Sequence, residues 1–275
     1  AWNEIPDLED NQLVDIHLNN FAGYVNIQQS LLDNKLIMNA GIRLDHHEIN
    51  GSEWIPQFGL NYLPTQNTTI KGMVSKGFRN PTIREMYMFS THNPNLKPER
   101  LMNYEISLLQ SFPEERLSLG VNLFYINGDN MIRVNMVDGK PLNVNTGIVE
   151  NKGFEISARY QATENFKFTT NYSYLNMFYK IVGVPEHKFY IGGNYSLKHW
   201  SLSTGLQYLG NLYTQVSPEL VKDNALLWNV RINYSVLSWM NLFLRGENLF
   251  GQVYEINAGF PMPKATLFGG IQLHI

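Results

Sequence analysis

Four consecutive titratable residues, Asp45-His46-His47-Glu48, form a group of potential metal ligands. Imidazole and carboxylate groups can hold a metal ion when they converge on it. Neighbouring residues of a strand point to opposite faces, however, so these four side chains would not converge. We therefore interpret them as polar residues of a surface or rim, and we predict no metal site.

Soft thioether and imidazole groups occur close together at Met86, Met88 and His92. These groups could bind copper or lie against a haem or a corrinoid. Alternatively, the two methionines only pack a loop onto its surroundings. Aromatic and apolar residues near the same mouth would offer a surface to a hydrophobic or aromatic chelate. The candidate ligand contacts are Met86, Tyr87, Met88, Phe89, His92, Tyr213, Phe260 and Met262.

The sequence contains no arrangement of residues typical of an enzyme. It lacks a nucleophile elbow, a phosphate-binding loop and an HExxH motif, so we predict neither catalysis nor a cofactor. The 275 residues include no cysteine, which excludes a thiol nucleophile and a disulfide framework. The net charge of -3 argues against nucleic acid as a partner, because nucleic-acid binders usually carry a basic patch.

Alternation of apolar and polar residues with a period of two is the dominant pattern along the chain. Trp228, Val230 and Ile232 share one face of a strand, for example, whereas Asn229 and Arg231 share the other. A helical pattern competes only at a short turn near 82–88. Thirteen strands are predicted, at 15–31, 35–50, 54–65, 68–79, 100–112, 116–136, 148–162, 166–180, 187–198, 200–215, 224–236, 240–256 and 265–275.

The connections between these strands alternate between short and long, except that 51–53 in the long series is itself short. Outer-membrane β-barrels likewise have short periplasmic turns and longer outer loops. Counting back from the last strand places every turn of the short series on one side and residue 1 on the other. Single-chain bacterial barrels have even strand numbers, so an odd count predicts missing strands upstream. We therefore expect an all-β chain that is the C-terminal portion of a larger antiparallel barrel.

In a membrane barrel the apolar face meets lipid and the polar face lines the lumen. Aromatic residues near the predicted strand ends would form girdles at the two membrane interfaces. The residues predicted to face lipid are Phe154, Trp228, Val230, Ile232 and Tyr234. The residues predicted to face the lumen, or a plug within it, are Glu105, Glu155, Arg159, Asn229, Arg231, Arg245 and Glu247.

Three segments resemble signatures of the TonB-dependent outer-membrane receptor family. The stretch Gly77-Phe78-Arg79-Asn80-Pro81-Thr82 continues to Glu85 and Tyr87, similar to "GFR-x-P-T-x-x-E-L-Y". Residues 93–99 read NPNLKPE and are followed by NYE at 103–105, and residues 247–250 read ENLF. The order and spacing of these segments extend the resemblance over nearly the whole chain.

The resemblance implies a receptor of the Gram-negative outer membrane for a ferric siderophore, haem or cobalamin. Passage through the barrel would be driven by TonB with ExbB and ExbD, which act on a region upstream of this chain. The resemblance implies a barrel of about 22 strands, and residues 1–275 would then be its C-terminal part, without the plug domain and N-terminal strands. Membrane lipids and a small metal chelate are the expected partners, and a surface lipoprotein would dock on the long loops. The chain departs from the family by ending in Ile275 rather than an aromatic residue.

Two other classes of protein also fit an alternating β chain. A passive porin or an autotransporter-type barrel would have the same wall but no plug. A soluble β-sandwich that binds carbohydrate would instead pack its apolar residues inside a protein core. The arrangement of Trp228 and Tyr234 therefore separates the membrane barrel from the sandwich.

Overall fold

A computed structural model describes residues 4–6, 13–15, 18–145 and 147–274, with side chains from residue 18 onward. The predicted first strand begins at residue 15, and part of its start lies outside the described residues. Among the described residues, nineteen strands and one short helix are formed. In chain order they are β1 Glu4–Pro6, β2 Leu13–Asp15, β3 Asn20–Leu31, β4 Leu36–His47, β5 Gly51–Thr65, β6 Thr68–Arg79, α1 Ile83–Tyr87, β7 Glu99–Phe112, β8 Leu117–Asp129, β9 Ile132–Val137, β10 Lys140–Asn145, β11 Val149–Gln161, β12 Phe166–Met177, β13 Pro185–Leu197, β14 Trp200–Gln215, β15 Val221–Leu237, β16 Met240–Glu247, β17 Glu255–Asn257, β18 Phe260–Pro261 and β19 Thr266–Leu273.

Thirteen of these strands form one sheet whose order follows the chain: β3, β4, β5, β6, β7, β8, β11, β12, β13, β14, β15, β16 and β19. Neighbouring strands pair in the antiparallel sense from β3 to β5 and from β12 to β19. The other six strands form three separate two-stranded pairs, β1 with β2, β9 with β10, and β17 with β18. The predicted all-β antiparallel fold and its thirteen wall strands are confirmed. We call the strand ends joined by the connections 32–35, 66–67, 113–116, 162–165, 198–199 and 238–239 the turn ends. The opposite ends, which include the short connection 48–50, are the loop ends.

The chain divides into two compact units. The first unit contains Ala1–Leu63, Lys71–Ile106 and Phe124–Asn151. The second contains Pro64–Ile70, Ser107–Leu123 and Lys152–Ile275. The first unit includes β3, β4, α1 and the β9–β10 pair, and the second includes β12 to β19.

Two strands end seven and nine residues earlier than the alternation predicted, and each is followed by a residue with a positive φ. The predicted strand 116–136 stops at Asp129 and is followed by Asn130 with φ 55°, after which β9 begins a separate hairpin. The predicted strand 240–256 stops at Glu247, because Asn248 adopts φ 48°. A left-handed residue reverses the chain direction and ends the ladder, and Asn tolerates this conformation better than most residues.

The two faces of the second unit differ in composition, as the alternation predicted. On one face, aromatic side chains form a row on the loop side of the band, where Tyr172 lies opposite Phe189 and Phe189 lies opposite Tyr208. A second aromatic row lies near the turn ends, where Trp200 stands opposite Tyr234 with ring centroids 4.5 Å apart. About eight residues separate the two rows along β14, roughly 27 Å at about 3.4 Å per residue.

Aliphatic side chains fill the band between the two aromatic rows. Leu202, Ile232 and Leu244 lie opposite one another on β14, β15 and β16. Many large apolar side chains on this face are exposed, and Leu267 and Ile271 of β19 have 70% and 64% of their surface accessible. The aliphatic side chains and the two aromatic rows are therefore arranged like the apolar band of a membrane barrel, which is about 25 Å tall, and its aromatic girdles.

Buried apolar groups are concentrated near the loop ends. In the second unit, Leu212, Ala225, Leu227 and Tyr254 form a small cluster. In the first unit, Met86 of α1 and Leu96 are buried. The interpretation as a soluble sandwich is not supported, because Trp228 is 36% exposed rather than enclosed in a protein core. No described helix is long and apolar enough to cross a membrane.

Candidate functional site

The connection 80–98 carries the first group of candidate contacts and is organised by the helix α1. Thr82 caps the helix: its hydroxyl accepts a hydrogen bond from the Glu85 backbone N–H, at 3.2 Å. The Glu85 carboxylate in turn accepts from the Thr82 backbone N–H, at 2.8 Å. This reciprocal capping box satisfies two backbone donors at the start of the helix, which explains why the threonine and glutamate stand three residues apart.

Arg79, the last residue of β6, fastens this helix to the strands. Its two terminal nitrogens donate to both Glu85 carboxylate oxygens, at 2.8 and 3.0 Å. Its Nε donates to Glu99 at the start of β7, at 2.6 Å. Glu99 also accepts from the backbone N–H of Ile132 in β9, at 2.8 Å. One guanidinium therefore joins three elements, as the forked geometry of arginine allows.

The pKa of Glu85 reflects these contacts. Burial favours the neutral acid and so raises the pKa, but the hydrogen bonds from Arg79 and from Thr82 outweigh it. The pKa falls from 4.5 to about 2. Glu85 is therefore ionised at neutral pH and stabilises the connection as an anion.

A second ionic group lies beside the first, at the loop ends of β4 to β7. Glu53 accepts from Lys76 and from Arg100, whose Nη2 lies 2.9 Å from Oε2. Asp45 accepts from Arg43 at 2.6 Å. With the three charged residues of the first group, these side chains contribute four cations and four anions. Because the charges balance, the two groups serve to hold elements together and offer no surplus charge to a ligand.

The Asp45–Glu48 run is arranged as strand geometry predicted, but it is not all on the surface. Asp45 and His47 are 2% and 7% exposed, which corrects the interpretation of these two residues as surface groups. Asp45 lies opposite Glu53 of the neighbouring strand, and the turn after β4 covers the His47 ring, whose Nδ1 lies 3.3 Å from the backbone nitrogen of Ile49. His46 contacts Ser52, and Glu48 accepts from Asn19. No three described His, Asp or Glu side chains are placed to hold a metal ion together.

The β9–β10 hairpin is attached to connection 80–98 through two asparagines. The Asn143 side chain donates to the Glu85 carbonyl at 3.1 Å, and its backbone N–H donates to the Thr91 carbonyl at 2.7 Å. The Asn145 side chain accepts from the backbone N–H of Lys97 and donates to the Lys97 carbonyl, at 2.8 and 2.9 Å. The alternation predicts a loop at 137–147 and gives no sign of this attachment.

The structure separates the candidate contacts of connection 80–98 into covered and accessible side chains. Met86 is fully buried, whereas Tyr87 and Met88 are half-buried. Phe89 is 53% exposed and has φ 65°. The exposed His92 is oriented by a 2.8 Å contact between Nδ1 and the Phe89 carbonyl. Phe89 and His92 are therefore the accessible members of this group.

Arg84 adds a positive charge beside these two residues. Its guanidinium lies 4.9 Å from the ring centroid of Phe89. Arg84 was not among the predicted contacts. It precedes Phe89 by five residues, and this spacing does not indicate that the two side chains stack at the end of α1.

Tyr213 in the second unit is buried beneath two lysines. Its hydroxyl donates to Glu186, and the Nζ atoms of Lys180 and Lys222 lie 5.4 and 4.9 Å from its ring centroid. Only 1% of its surface is accessible. The accessible groups at this position are therefore the two lysines, which sequence reasoning missed because they lie in separate segments.

The other two candidates in the second unit lie on the connection between β16 and β19. Phe260 is 68% exposed on the short β17–β18 hairpin. Met262 is half-buried and packs against the apolar cluster that includes Tyr254. Burial, with a smaller contribution from Glu247, raises the pKa of the Tyr254 hydroxyl above its ordinary value.

The residues predicted to face the lumen follow the register of the sheet. In the second unit, Arg231 lies opposite Ser203 and Arg245, on the face away from Trp228 and Ile232. The positions on β15 and β16 therefore alternate as the sequence pattern predicted.

The remaining lumen candidates also make polar contacts or alternate with apolar neighbours. Asn229 accepts from the backbone N–H of Asn248, and Glu247 pairs with Arg245 at 3.2 Å. In the first unit, Glu105 accepts from Asn103 at 2.9 Å. On β11, the residues that alternate with Phe154 are Glu155 and Arg159. The Phe154 ring itself contacts Tyr172 on the apolar face.

Comparison with known proteins identifies the class of this fold. A family model described as TonB dependent receptor-like, beta-barrel matches residues 5–249. The chain therefore belongs to the TonB-dependent receptor β-barrel family, whose members are outer-membrane proteins of Gram-negative bacteria. This membership favours the receptor over the porin, autotransporter and carbohydrate-binding alternatives.

Individual relatives cover most of the chain at modest identity. The vitamin B12 transporter BtuB of Photobacterium profundum is 26% identical over 241 residues, 82% of this chain and 39% of the relative. The iron-regulated outer membrane virulence protein of Vibrio cholerae serotype O1 is 27% identical and covers 91% of this chain and 38% of the relative. This chain thus spans about two fifths of the length of these curated relatives.

The likeness also extends to solved structures. A ferric enterobactin receptor, PfeA of Pseudomonas aeruginosa, matches with a TM-score of 0.82 at 16% identity. The match covers 98% of this chain and 48% of that receptor. At this identity the likeness shows the fold alone.

Proposed function

We propose that this chain is the C-terminal part of the barrel of an outer-membrane receptor for TonB-energised uptake of a scarce nutrient. The nutrient would be a ferric siderophore, haem or cobalamin. The observation that carries the proposal is the family match over residues 5–249 on a sheet with one apolar and one polar face. The relatives named above include a vitamin B12 transporter and a ferric enterobactin receptor, which supports cobalamin and ferric siderophores among these ligands.

In this proposal residues 1–275 supply barrel wall and outer loops, whereas the plug and the remaining wall come from upstream sequence. The opposite faces of the wall meet lipid and line the lumen. TonB, ExbB and ExbD act through the upstream region, and a surface lipoprotein would dock on the loops. Neither catalysis nor a bound cofactor is part of this role. The side chains that meet lipid include Phe154, Trp228, Val230, Ile232 and Tyr234.

The ligand would touch the accessible residues of the loops. Phe89, His92 and Phe260 are exposed, and their aromatic rings suit a chelate with apolar or aromatic surface. Arg84 provides a positive charge on the connection that carries Phe89 and His92. Lys222 provides one at the loop end of β15, in the same unit as Phe260.

The covered candidates would act differently. Tyr87 and Met88 of the first unit, and Met262 of the second, are half-buried and would offer a ligand less contact surface than the exposed residues. Met86 and Tyr213 are buried, and we propose that they support the exposed contacts from below.

The test is equilibrium binding of the intact receptor to a panel of ferric siderophores, haem and cobalamin. We expect one class to bind. Phe89→Ala and Phe260→Ala should weaken its binding about tenfold, as truncation of an aromatic anchor commonly does. Phe112→Ala, at a turn end, is the matched control and should leave binding unchanged.

A transport measurement completes this test. Cells without TonB should bind the same compound but not accumulate it. Failure of the intact receptor to bind any compound of the panel, or accumulation without TonB, would contradict the proposed function.

A further inference from the structure

Two arginines stand side by side on the polar face of the second unit. Arg231 of β15 and Arg245 of β16 are directly opposite each other in the antiparallel register. Side chains so placed originate about 5 Å apart, and like charges in such positions repel. The neighbours of Arg231 on β14 at this level include the uncharged Ser203. Another interaction must therefore offset the repulsion between the two guanidinium groups.

Each guanidinium lies against a phenylalanine ring. The Arg231 Cζ is 4.7 Å from the ring centroid of Phe243, and the Arg245 Cζ is 4.8 Å from that of Phe268. Attraction between a guanidinium and an aromatic face offsets part of the repulsion. It also restricts the orientation of both guanidinium planes, so their N–H groups are partly preorganised.

The two arginines have more donors than the described residues satisfy. Arg231 donates from Nε to the side-chain oxygen of Asn233, at 2.8 Å. Arg245 pairs with Glu247 at 3.2 Å, but its own Nε is buried and has no partner in the described part of the chain. Two guanidinium groups carry about ten N–H donors, and one nearby carboxylate accepts from few of them. The site thus has a surplus of one positive charge and of oriented donors.

We propose that the Arg231–Arg245 pair binds a carboxylate side chain of the plug domain and so anchors the plug to the wall. A planar carboxylate with two acceptor oxygens matches forked guanidinium donors better than other acceptors do. The inference rests on the proposed function, because a receptor barrel is the kind of barrel that encloses a plug. The curated relatives are more than twice as long as the matched segment, which leaves room for such a domain.

The depth of the pair in the wall favours the plug over the transported ligand as the source of the carboxylate. Arg231 lies about ten residues from the loop end of β15, roughly 33 Å along the strand, and about six residues from its turn end. The exposed candidate ligand contacts lie instead on the connections beyond the loop ends. A domain that fills the lumen would reach Arg231, whereas a ligand captured by the loops would not.

The experiment measures hydrogen exchange of the plug in the intact receptor. Arg231→Gln, Arg245→Gln and the double variant should increase exchange of a localised plug segment about tenfold, as expected when a charged hydrogen bond is lost. Lys167→Gln removes a cation from β12 of the same unit and serves as the matched control, with unchanged exchange. Arg231→Lys and Arg245→Lys keep the charge without the fork and should give intermediate effects.

Each result either supports the anchor or overturns it. Rescue of Arg245→Glu by a basic substitution in the exchanging plug segment would identify the carboxylate and support the proposal. Unchanged plug exchange in the double variant, or an equal increase in Lys167→Gln, would overturn it. Weaker ligand binding with an unchanged plug would assign the carboxylate to the ligand and also overturn it. Normal ligand binding and TonB-dependent uptake in these variants would leave the proposed function standing.

Discussion

Glu85 connects more parts of the loop-end structure than its place in a five-residue helix would indicate. Its carboxylate completes the capping box with Thr82 and pairs with Arg79, and its carbonyl accepts from Asn143. The same residue therefore starts the helix, fastens it to β6 and receives the β9–β10 hairpin. Because so short a helix is not stable by itself, these contacts determine its position.

We expect the stability of connection 80–98 to depend on pH through Glu85. Its folded-state pKa of about 2 lies below the value of 4.5 that it has without these contacts. Its contribution is therefore present above pH 4.5 and is lost as the pH falls toward 2. Protection of the α1 amides against hydrogen exchange in the intact receptor, taken relative to the intrinsic exchange rate at each pH, should fall over this interval.

A charge-neutral variant isolates this effect. Glu85→Gln should show faster α1 exchange at neutral pH, by an amount corresponding to about 1 kcal/mol for a weakened cap, and a smaller change between pH 4.5 and 2. Glu114→Gln, in an exposed turn, is the control and should behave as the natural protein does. If Glu85→Gln retains the full pH dependence, other groups cause it.

The candidate ligand contacts illustrate what residue types alone can predict. The sequence identified Phe89, His92 and Phe260 as residues of outer connections, and the structure leaves them exposed. The burial of Met86 agrees with the alternative that this methionine only packs its loop onto the surroundings. The sequence could not identify Tyr213 as buried, because a bulged strand end has no long period that would mark its inner side. The lysines over Tyr213 were missed because contacts between distant segments leave no local pattern.

At the scale of elements, alternation predicted every wall strand, and local turn chemistry decided where the predictions failed. The β9–β10 hairpin turns at Asp138 and Gly139, both with positive φ. Asp-Gly between alternating residues is a strong hairpin signal, and it was available in the sequence. The predicted strand 116–136 nevertheless ran into this hairpin, since alternation continues past Asn130 without marking the break.

The attachment of this hairpin to connection 80–98 predicts that the two move together. Asn143 is 8% exposed, and its side-chain donor reaches Glu85. Asn143→Ala removes that bond, at a cost of about 1 kcal/mol, and should increase hydrogen exchange in both segments of the intact receptor. The change should appear in α1 although the substitution lies in β10.

The control for this coupling is Asn135→Ala. Asn135 lies on the same hairpin but is exposed, and its loss should affect neither segment. An Asn143→Ala receptor in which only the hairpin exchanges faster would show that the two segments open independently.

At the scale of the whole molecule, the fold is explained by two faces rather than by a large core. The second unit places aliphatic side chains between two aromatic rows on one face, and serine, asparagine and charged side chains on the other. A water-soluble protein would need to cover the first face. In a bilayer that face is instead stabilised by acyl chains, while the antiparallel ladder satisfies the backbone.

This interpretation predicts where a charge is most harmful. Val230 lies opposite Thr204, midway between the aromatic residues Trp200 and Tyr208 of β14, and hence near the centre of the proposed apolar band. Val230→Arg should lower the free energy of unfolding of the intact receptor in lipid vesicles by about 2–4 kcal/mol. Ile232→Arg, one step nearer the turn-end row, should cost less because the penalty falls toward the interface.

The matched control is a charge at a similar depth on the other face. Thr169 of β12 lies on the polar face opposite Gly192, which in turn lies opposite Gly205, the residue after Thr204 in β14. Thr169→Arg would therefore place its guanidinium in the lumen at nearly the depth of Val230. A denaturant titration of the receptor in vesicles should show little change for this variant. Equal destabilisation by Val230→Arg and Thr169→Arg would mean that neither face contacts lipid in preference to the other, and the assignment of the apolar face to the membrane would be wrong.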